Sequence, residues 1–125
     1  MKNTLIKVKI IKNQDIGKFN INHLVFNSDG LIPTIAQEKS TNEILMMAYS
    51  NKNSIQMTVK TKKAHFWSRS KKKLWLKGET SGNKLNIINI YTDCDSDALI
   101  YEVELEGIGA CHTGKKSCFY KKLEL

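Results

Sequence analysis

Short runs of β-forming residues separated by turn signals constrain the fold of this 125-residue chain more than any other feature. The clearest run is residues 98–106, in which Leu99, Tyr101 and Val103 alternate with more polar neighbours, as in a strand with one buried face. Comparable runs predict further strands over residues 31–37, 43–49, 64–69, 74–77 and 85–92. Strand composition is also found at residues 5–11, and a last short strand is expected at 119–120.

One amphipathic helix is expected over residues 52–62, with Ser50 or Asn51 as its N-cap. Ile55 and Val59, with Met57 or Thr58, would form its buried face. The sequence therefore predicts an α+β fold that is mainly β, with an antiparallel, barrel-like core and one short helix near the middle.

Length and composition limit the class of protein. A chain of 125 residues without internal repeats or a linker predicts one domain over residues 1–125. No apolar run approaches the ~20 residues of a membrane span, so no membrane partner is expected. Three cysteines cannot form a closed set of disulfides, which favours a reducing, cytoplasmic location.

The net charge of +8 suggests nucleic-acid binding, but the basic residues are scattered along the chain. All but one of the 20 are lysines, which is typical of a solvated surface as well. The exception is Arg69. Its planar guanidinium can bind a phosphate or carboxylate at two points, which lysine cannot, so a site role competes here with an ordinary surface position.

Two stretches combine metal-ligand side chains. The first carries Asp93, Asp95 and Asp97 around Cys94; the second runs over residues 110–118 and contains Cys111, His112 and Cys118. On a strand, the three carboxylates would share one face and suit Mg²⁺, while Cys94 would point the other way. Three thiols and an open fourth position resemble a catalytic rather than a structural zinc site.

Other interpretations remain open from the residues alone. The acidic run could be a solvated turn, and the cysteines could be unrelated thiols. A structural zinc module, closed by His112 or another side chain, is one alternative class. A basic nucleic-acid-binding β domain is another, although three clustered carboxylates disfavour contact with a phosphate backbone.

Four motifs in order strongly resemble the phosphoribosyl-AMP cyclohydrolase family of histidine biosynthesis. They are HFWSRS at 65–70, LWLKGETSG at 74–82, DCDSDAL at 93–99, and ACHTG with SCF between residues 110 and 119. The resemblance begins near Asp29 and ends near Tyr120, so residues 1–28 lie outside it. It departs from the family pattern at Ser96, where glycine is usual, and at Lys71, Lys115 and Lys116, where arginine is common.

The resemblance implies an enzyme that opens the purine ring of N1-(5-phosphoribosyl)-AMP between N1 and C6, the third step of histidine biosynthesis. It implies one zinc per subunit, which activates a water and is held by Cys94 of one subunit and Cys111 and Cys118 of its partner in a homodimer. It also implies Mg²⁺ at Asp93, Asp95 and Asp97, and the single-domain form of the family.

His112 follows a zinc ligand, and histidine suits the transfer of a proton from water to the ring nitrogen, although orienting Cys111 is the alternative role. Candidates for substrate binding are Arg69, Lys71, Trp75, Lys77, Ser81 and Gly82. Trp67 and Trp75 could stack on the purine but are more commonly core residues in strands. His65 could equally be a core histidine.

Overall fold

The computed structural model describes residues 16–125, so the strand expected at residues 5–11 lies outside the described residues. A four-stranded sheet carries the fold, and its spatial order is β2-β1-β6-β5. The bounds are Ile32–Glu38 for β1, Ile44–Ser50 for β2, Leu85–Thr92 for β5 and Leu99–Leu105 for β6. A separate hairpin pairs β3 (His65–Ser68) with β4 (Lys73–Leu76). One α-helix, α1 (Lys52–Thr61), connects β2 to β3, and a short 3-10 helix, Ile21–His23, precedes β1.

The predicted fold class, α+β and mainly β, is confirmed, but the main sheet is not wholly antiparallel. β1 pairs with β2 and β5 with β6 in antiparallel fashion, whereas β1 and β6 run parallel. Parallel neighbours need a long connection, and here the helix, the hairpin and β5 all lie between them. No helix among residues 16–125 has the length and apolarity needed to cross a bilayer.

Alternation along β1 and β6 places the core on one face of the sheet. Every second residue of β1 is buried, and Leu99, Tyr101 and Val103 of β6 are fully enclosed. Phe66 of β3 packs against Tyr101, with ring centroids 5.5 Å apart, and thereby seats the hairpin on the sheet.

The helix begins where the sequence predicts it. Asn51 is the N-cap: its side chain accepts from the Ser54 amide, and the Ser54 hydroxyl accepts from the Asn51 amide. Ile55 and Thr58 are buried as expected, but Ser54 is buried with them and Val59 is 45% exposed, which differs from the prediction. Thr58 faces inward since its hydroxyl accepts a hydrogen bond from the His65 amide of β3 at 2.9 Å.

Two further expectations are wrong. Residues 93–97 form a turn and not a strand, because Asp93 Oδ1 accepts from the Asp97 amide and Ser96 adopts a φ of 59°. Phe119 and Tyr120 are exposed and form no strand.

Candidate functional site

The segment that carries Cys111 and Cys118 is anchored along the edge of β2. The Cys118 amide donates to the Leu45 carbonyl at 2.7 Å, and the Ser117 hydroxyl donates to the Ile44 carbonyl at 2.6 Å. Lys116 adds ion pairs to Glu38 at 2.7 Å and Glu43 at 3.2 Å. The position of Cys118 therefore depends on the β1–β2 hairpin.

Cys111 and Cys118 lie close enough together for each thiol to affect the pKa of the other. The Thr113 hydroxyl lies 3.0 Å from Cys111 Sγ, and its hydrogen bond is the main cause that lowers the pKa of Cys111. Burial, followed by the bond to Cys111, raises the pKa of Cys118. These opposite shifts make Cys111 the more acidic of the two thiols.

A buried lysine accompanies the thiols. Lys77 directly follows β4, its amide donates to the Ala64 carbonyl at 3.1 Å, and its side chain is buried. Desolvation lowers the pKa of its ammonium, while the charges of Cys118 and Cys111 act in the opposite direction. The ammonium is therefore held in a poorly solvated place where a nearby anion stabilises it.

The acidic turn presents Asp93, Asp95 and Asp97 together with Cys94, all of them exposed. A hydrogen bond to Asp93, followed by the negative charges of Asp93 and Asp95, raises the pKa of Asp97. The carboxylates are thus close enough to repel one another. Nevertheless, among residues 16–125 no three His, Cys, Asp or Glu side chains are grouped so that one chain could hold a metal ion.

A cavity of about 700 Å³ opens between β2 and the β3–β4 hairpin. It is lined by Met47, Ala48, Tyr49, Trp67, Ser68, Arg69, Ser70 and Trp75. Arg69 lies over Tyr49, with Cζ 4.1 Å from the ring centroid. Trp75 also packs against Phe66 at 5.6 Å and lies 6.0 Å from Lys77 Nζ.

Of the predicted substrate contacts, the structure brings Arg69 and Trp75 into this cavity and Lys77 close to its Trp75 wall. Lys71 is exposed in the hairpin turn, where its amide donates to the Ser68 hydroxyl. Ser81 and Gly82 are exposed in the loop over residues 77–82, and neither lines the cavity.

That loop is joined to the cysteine segment by Asn83. Its side-chain oxygen accepts from the Ile108 amide at 3.1 Å. Gly107, at a φ of 106°, packs so closely that a Cβ there would lie 2.1 Å from the same oxygen, so glycine is required. The sequence analysis did not predict this link. Gly107 and Gly109, one on each side of Ile108, were a signal that another segment approaches the backbone closely here.

The two remaining histidine candidates differ in environment. His112 is exposed on the cysteine segment, next to the thiol pair. His65 is buried, and its Nδ1 lies 2.8 Å from the Lys63 carbonyl, which requires a proton on that nitrogen. His65 thus has the environment of a core histidine.

Tyr49 was not predicted as a site residue, because only its contact with Arg69 distinguishes it from other aromatic strand residues.

The chemical types of the donors fit the zinc and magnesium that the sequence predicts, although within residues 16–125 neither set is grouped as a complete metal site. Two thiols in contact, one of them disposed to ionise, are soft ligands of the kind that zinc prefers. Three mutually repelling carboxylates suit a hard cation. One chain offers only two grouped thiols, so a third thiolate ligand would have to come from a second chain.

The fold and the site define a small α+β enzyme, with a polar and aromatic cavity beside a pair of thiols. Comparison with known proteins then identifies the family. The model of the phosphoribosyl-AMP cyclohydrolase family matches residues 46–120. A phosphoribosyl-AMP cyclohydrolase of Archaeoglobus fulgidus is 57% identical over 101 residues, which cover 81% of this chain and 93% of the relative. The chain belongs to the phosphoribosyl-AMP cyclohydrolase family, and the predicted resemblance and enzyme class are confirmed.

Two other relatives extend this result. A phosphoribosyl-AMP cyclohydrolase of Prosthecochloris aestuarii is 50% identical over 111 residues, 89% of this chain and 80% of the relative. A histidine biosynthesis bifunctional protein of Aquifex aeolicus is 52% identical over 101 residues, which are 81% of this chain but 49% of that protein. The family is therefore one of hydrolases that serve histidine biosynthesis.

Proposed function

We propose that the chain hydrolyses the N1–C6 bond of the adenine ring in N1-(5-phosphoribosyl)-AMP, with zinc and magnesium as its metals. Water is added across this bond: oxygen is bonded to C6, which becomes the carboxamide carbon, and a proton is delivered to N1. The observation that carries the proposal is the contact between Cys111 and Cys118 beside buried Lys77, in a chain of this family.

Cys111 and Cys118 would hold the zinc ion, together with Cys94 of the partner subunit. When bound, zinc lowers the pKa of a coordinated water towards 7 and so supplies a nucleophile near neutral pH. The hydrogen bond from Thr113 favours the thiolate form of Cys111, which is the form that binds a metal. Lys77 contributes a positive charge next to the thiolates, which offsets part of their repulsion.

The separation of the thiols supports a homodimer. Cys94 lies in the acidic turn, outside the Cys111–Cys118 pair, and it is exposed. Each dimer would then contain two equivalent zinc sites, since a two-fold axis repeats every contact.

The acidic turn would hold Mg²⁺ through Asp93, Asp95 and Asp97, where the cation relieves the repulsion between carboxylates. His112, exposed next to Cys111, would accept a proton from the attacking water and return it to N1. Free thiolates need a reducing compartment, so we place the enzyme in the cytoplasm.

Cys111→Ser and Cys94→Ser test the zinc site. Each variant alone is expected to lose bound zinc, measured by atomic absorption, together with ring opening of phosphoribosyl-AMP, measured by absorbance. Ser96→Ala is a matched control because it changes the acidic turn without removing a proposed ligand. Normal turnover by Cys111→Ser after metal stripping would contradict the zinc role.

Mixing the two inactive variants tests whether the site is shared. A mixed dimer has one site with all three thiols and one site without two of them. With random exchange of subunits, about one quarter of the parental activity should return. No recovery, in a mixture shown to exchange subunits, would mean that each zinc site belongs to a single chain.

A further inference from the structure

Arg69 is held by an aromatic ring and not by a carboxylate. Its Cζ lies 4.1 Å from the centroid of Tyr49, on the wall of the cavity. Within residues 16–125, no Asp or Glu oxygen lies within 4 Å of its guanidinium. The arginine therefore reaches the cavity with its charge uncompensated by any of these carboxylates.

The contact with Tyr49 leaves the N–H groups of Arg69 available to a ligand. A guanidinium that lies flat on a ring covers one of its faces, while its N–H groups point outward in the plane. Those groups form the fork that binds a phosphate at two points. Because Arg69 is exposed and lies in a turn, the ring is also what restricts its rotamers.

The volume of the cavity and its other lining residues suit a nucleotide. The cavity volume of about 700 Å³ is in the range of small-molecule sites. Trp67 and Trp75 offer two indole surfaces for a base, and Ser68 and Ser70 border the same space as Arg69. A planar aromatic base joined to a phosphate would use both kinds of surface.

Trp75 links the cavity to the neighbourhood of the thiols. It forms one wall of the cavity and lies 6.0 Å from Lys77 Nζ, and Lys77 in turn faces Cys111 and Cys118. A base resting on Trp75 would thus lie between the phosphate at Arg69 and the reacting centre at the thiols.

We propose that this cavity binds the nucleoside-monophosphate half of the substrate, and that Tyr49 is the positioning residue that holds Arg69 for its phosphate. The choice of substrate rests on the function proposed above, but binding can be measured without turnover. Tyr49 lines the cavity, and its effect on the phosphate is exerted through Arg69.

Tryptophan fluorescence gives a direct measurement. The chain has two tryptophans, and both line the cavity. AMP, adenosine and inorganic phosphate are titrated as separate probes, with excitation at the red edge of indole absorption. AMP is expected to change the fluorescence saturably and to bind more tightly than adenosine, because only AMP engages Arg69.

Three variants separate positioning from packing. Tyr49→Leu removes the ring, Tyr49→Phe keeps it, and Arg69→Lys keeps the charge but loses the fork. We expect Tyr49→Leu to weaken AMP binding about fivefold, the size of a moderate cation–π contact, and Tyr49→Phe to restore it. Arg69→Lys should weaken it about tenfold, and adding Tyr49→Leu to that variant should change little further. Adenosine affinity should be similar in all of them.

In turnover, Tyr49→Leu should raise KM more than it lowers kcat. The proposal is overturned if AMP leaves the parent fluorescence unchanged, if the effects of Tyr49→Leu and Arg69→Lys on AMP binding are simply additive, or if Tyr49→Leu weakens adenosine as much as AMP. If AMP binds as expected but phosphoribosyl-AMP is not opened, the proposed function fails and the nucleotide cavity stands.

Discussion

Thr58→Val tests how the helix fixes the start of β3. The Thr58 hydroxyl is fully buried, accepts from the His65 amide at 2.9 Å and donates to the Ser54 carbonyl at 2.7 Å. Valine has nearly the same shape but cannot accept a hydrogen bond. The His65 amide would then lose this partner inside the protein.

The expected loss of stability follows from the one backbone N–H group that is left without a hydrogen-bond acceptor. A buried donor left without a partner costs about 1–3 kcal/mol, so the free energy of unfolding should fall by that amount. For a chain of this size, about 1 kcal/mol corresponds to a Tm change of roughly 3–6 °C. β3 also carries Trp67 to the cavity and precedes Arg69, so AMP binding should weaken along with stability.

Urea unfolding followed by circular dichroism measures the effect, at one fixed protein concentration because subunit association would contribute to stability. Thr58→Ser is the control: it keeps the hydroxyl and loses one methyl group, at a cost of about 0.8 kcal/mol. If Thr58→Val is as stable as the parent while Thr58→Ser is weakened, the buried amide has another partner and the reasoning is refuted.

Two other predictions concern the acidic groups. Asp95 is exposed, so Asp95→Asn should leave the turn and the zinc content unchanged while raising the Mg²⁺ concentration needed for half-maximal activity; loss of zinc in this variant would show that the two metal sites are coupled. The hydrogen bond from Lys116 lowers the pKa of Glu38 below its ordinary value of 4.5. A carboxyl group whose pKa is lowered by folding stabilises the fold at pH values above its unfolded-state pKa. This stabilisation is lost as the pH falls through the folded-state pKa. The stability difference between parent and Glu38→Gln should therefore shrink from about pH 4.5 downwards. A difference that is constant from pH 7 to pH 3 would mean that the ion pair does not anchor the cysteine segment.

Local patterns predicted most of the elements, and non-local contacts explain the errors. The alternation in β6 and the N-cap at Asn51 are signals carried by neighbouring residues, and both match the structure. The parallel pairing of β1 with β6 depends on contacts across more than sixty residues, which no local pattern encodes. Val59 was expected to be buried with Ile55, but the hydrogen bond between Thr58 and the His65 amide orients the helix so that Val59 is exposed.

The acidic turn shows how a correct set of residues can be given the wrong geometry. Alternation on a strand predicted that Asp93, Asp95 and Asp97 share one face, with Cys94 opposite. The Asp93 side chain instead accepts from the Asp97 amide, because aspartate competes well for nearby backbone donors. The expected independence of the two metal sites therefore cannot rest on opposite strand faces. Since Cys94 belongs to the acidic turn and is also a proposed zinc ligand, the zinc content of Asp95→Asn is the test of that independence.

The site could be predicted as a set of chemical types, but its arrangement depends on three anchors that lie elsewhere. Hydrogen bonds to the β2 carbonyls hold Cys118, Asn83 holds the chain before the cysteine segment, and Tyr49 holds Arg69. Gly109 adds a close approach within the cysteine segment, since a Cβ there would lie 2.6 Å from the Lys115 carbonyl oxygen. None of these anchors is a metal ligand or a charged group, so a search for reactive residues passes over them. They set the positions from which the reactive residues act, and variants at these sites should alter affinity and metal retention before they alter the chemistry itself.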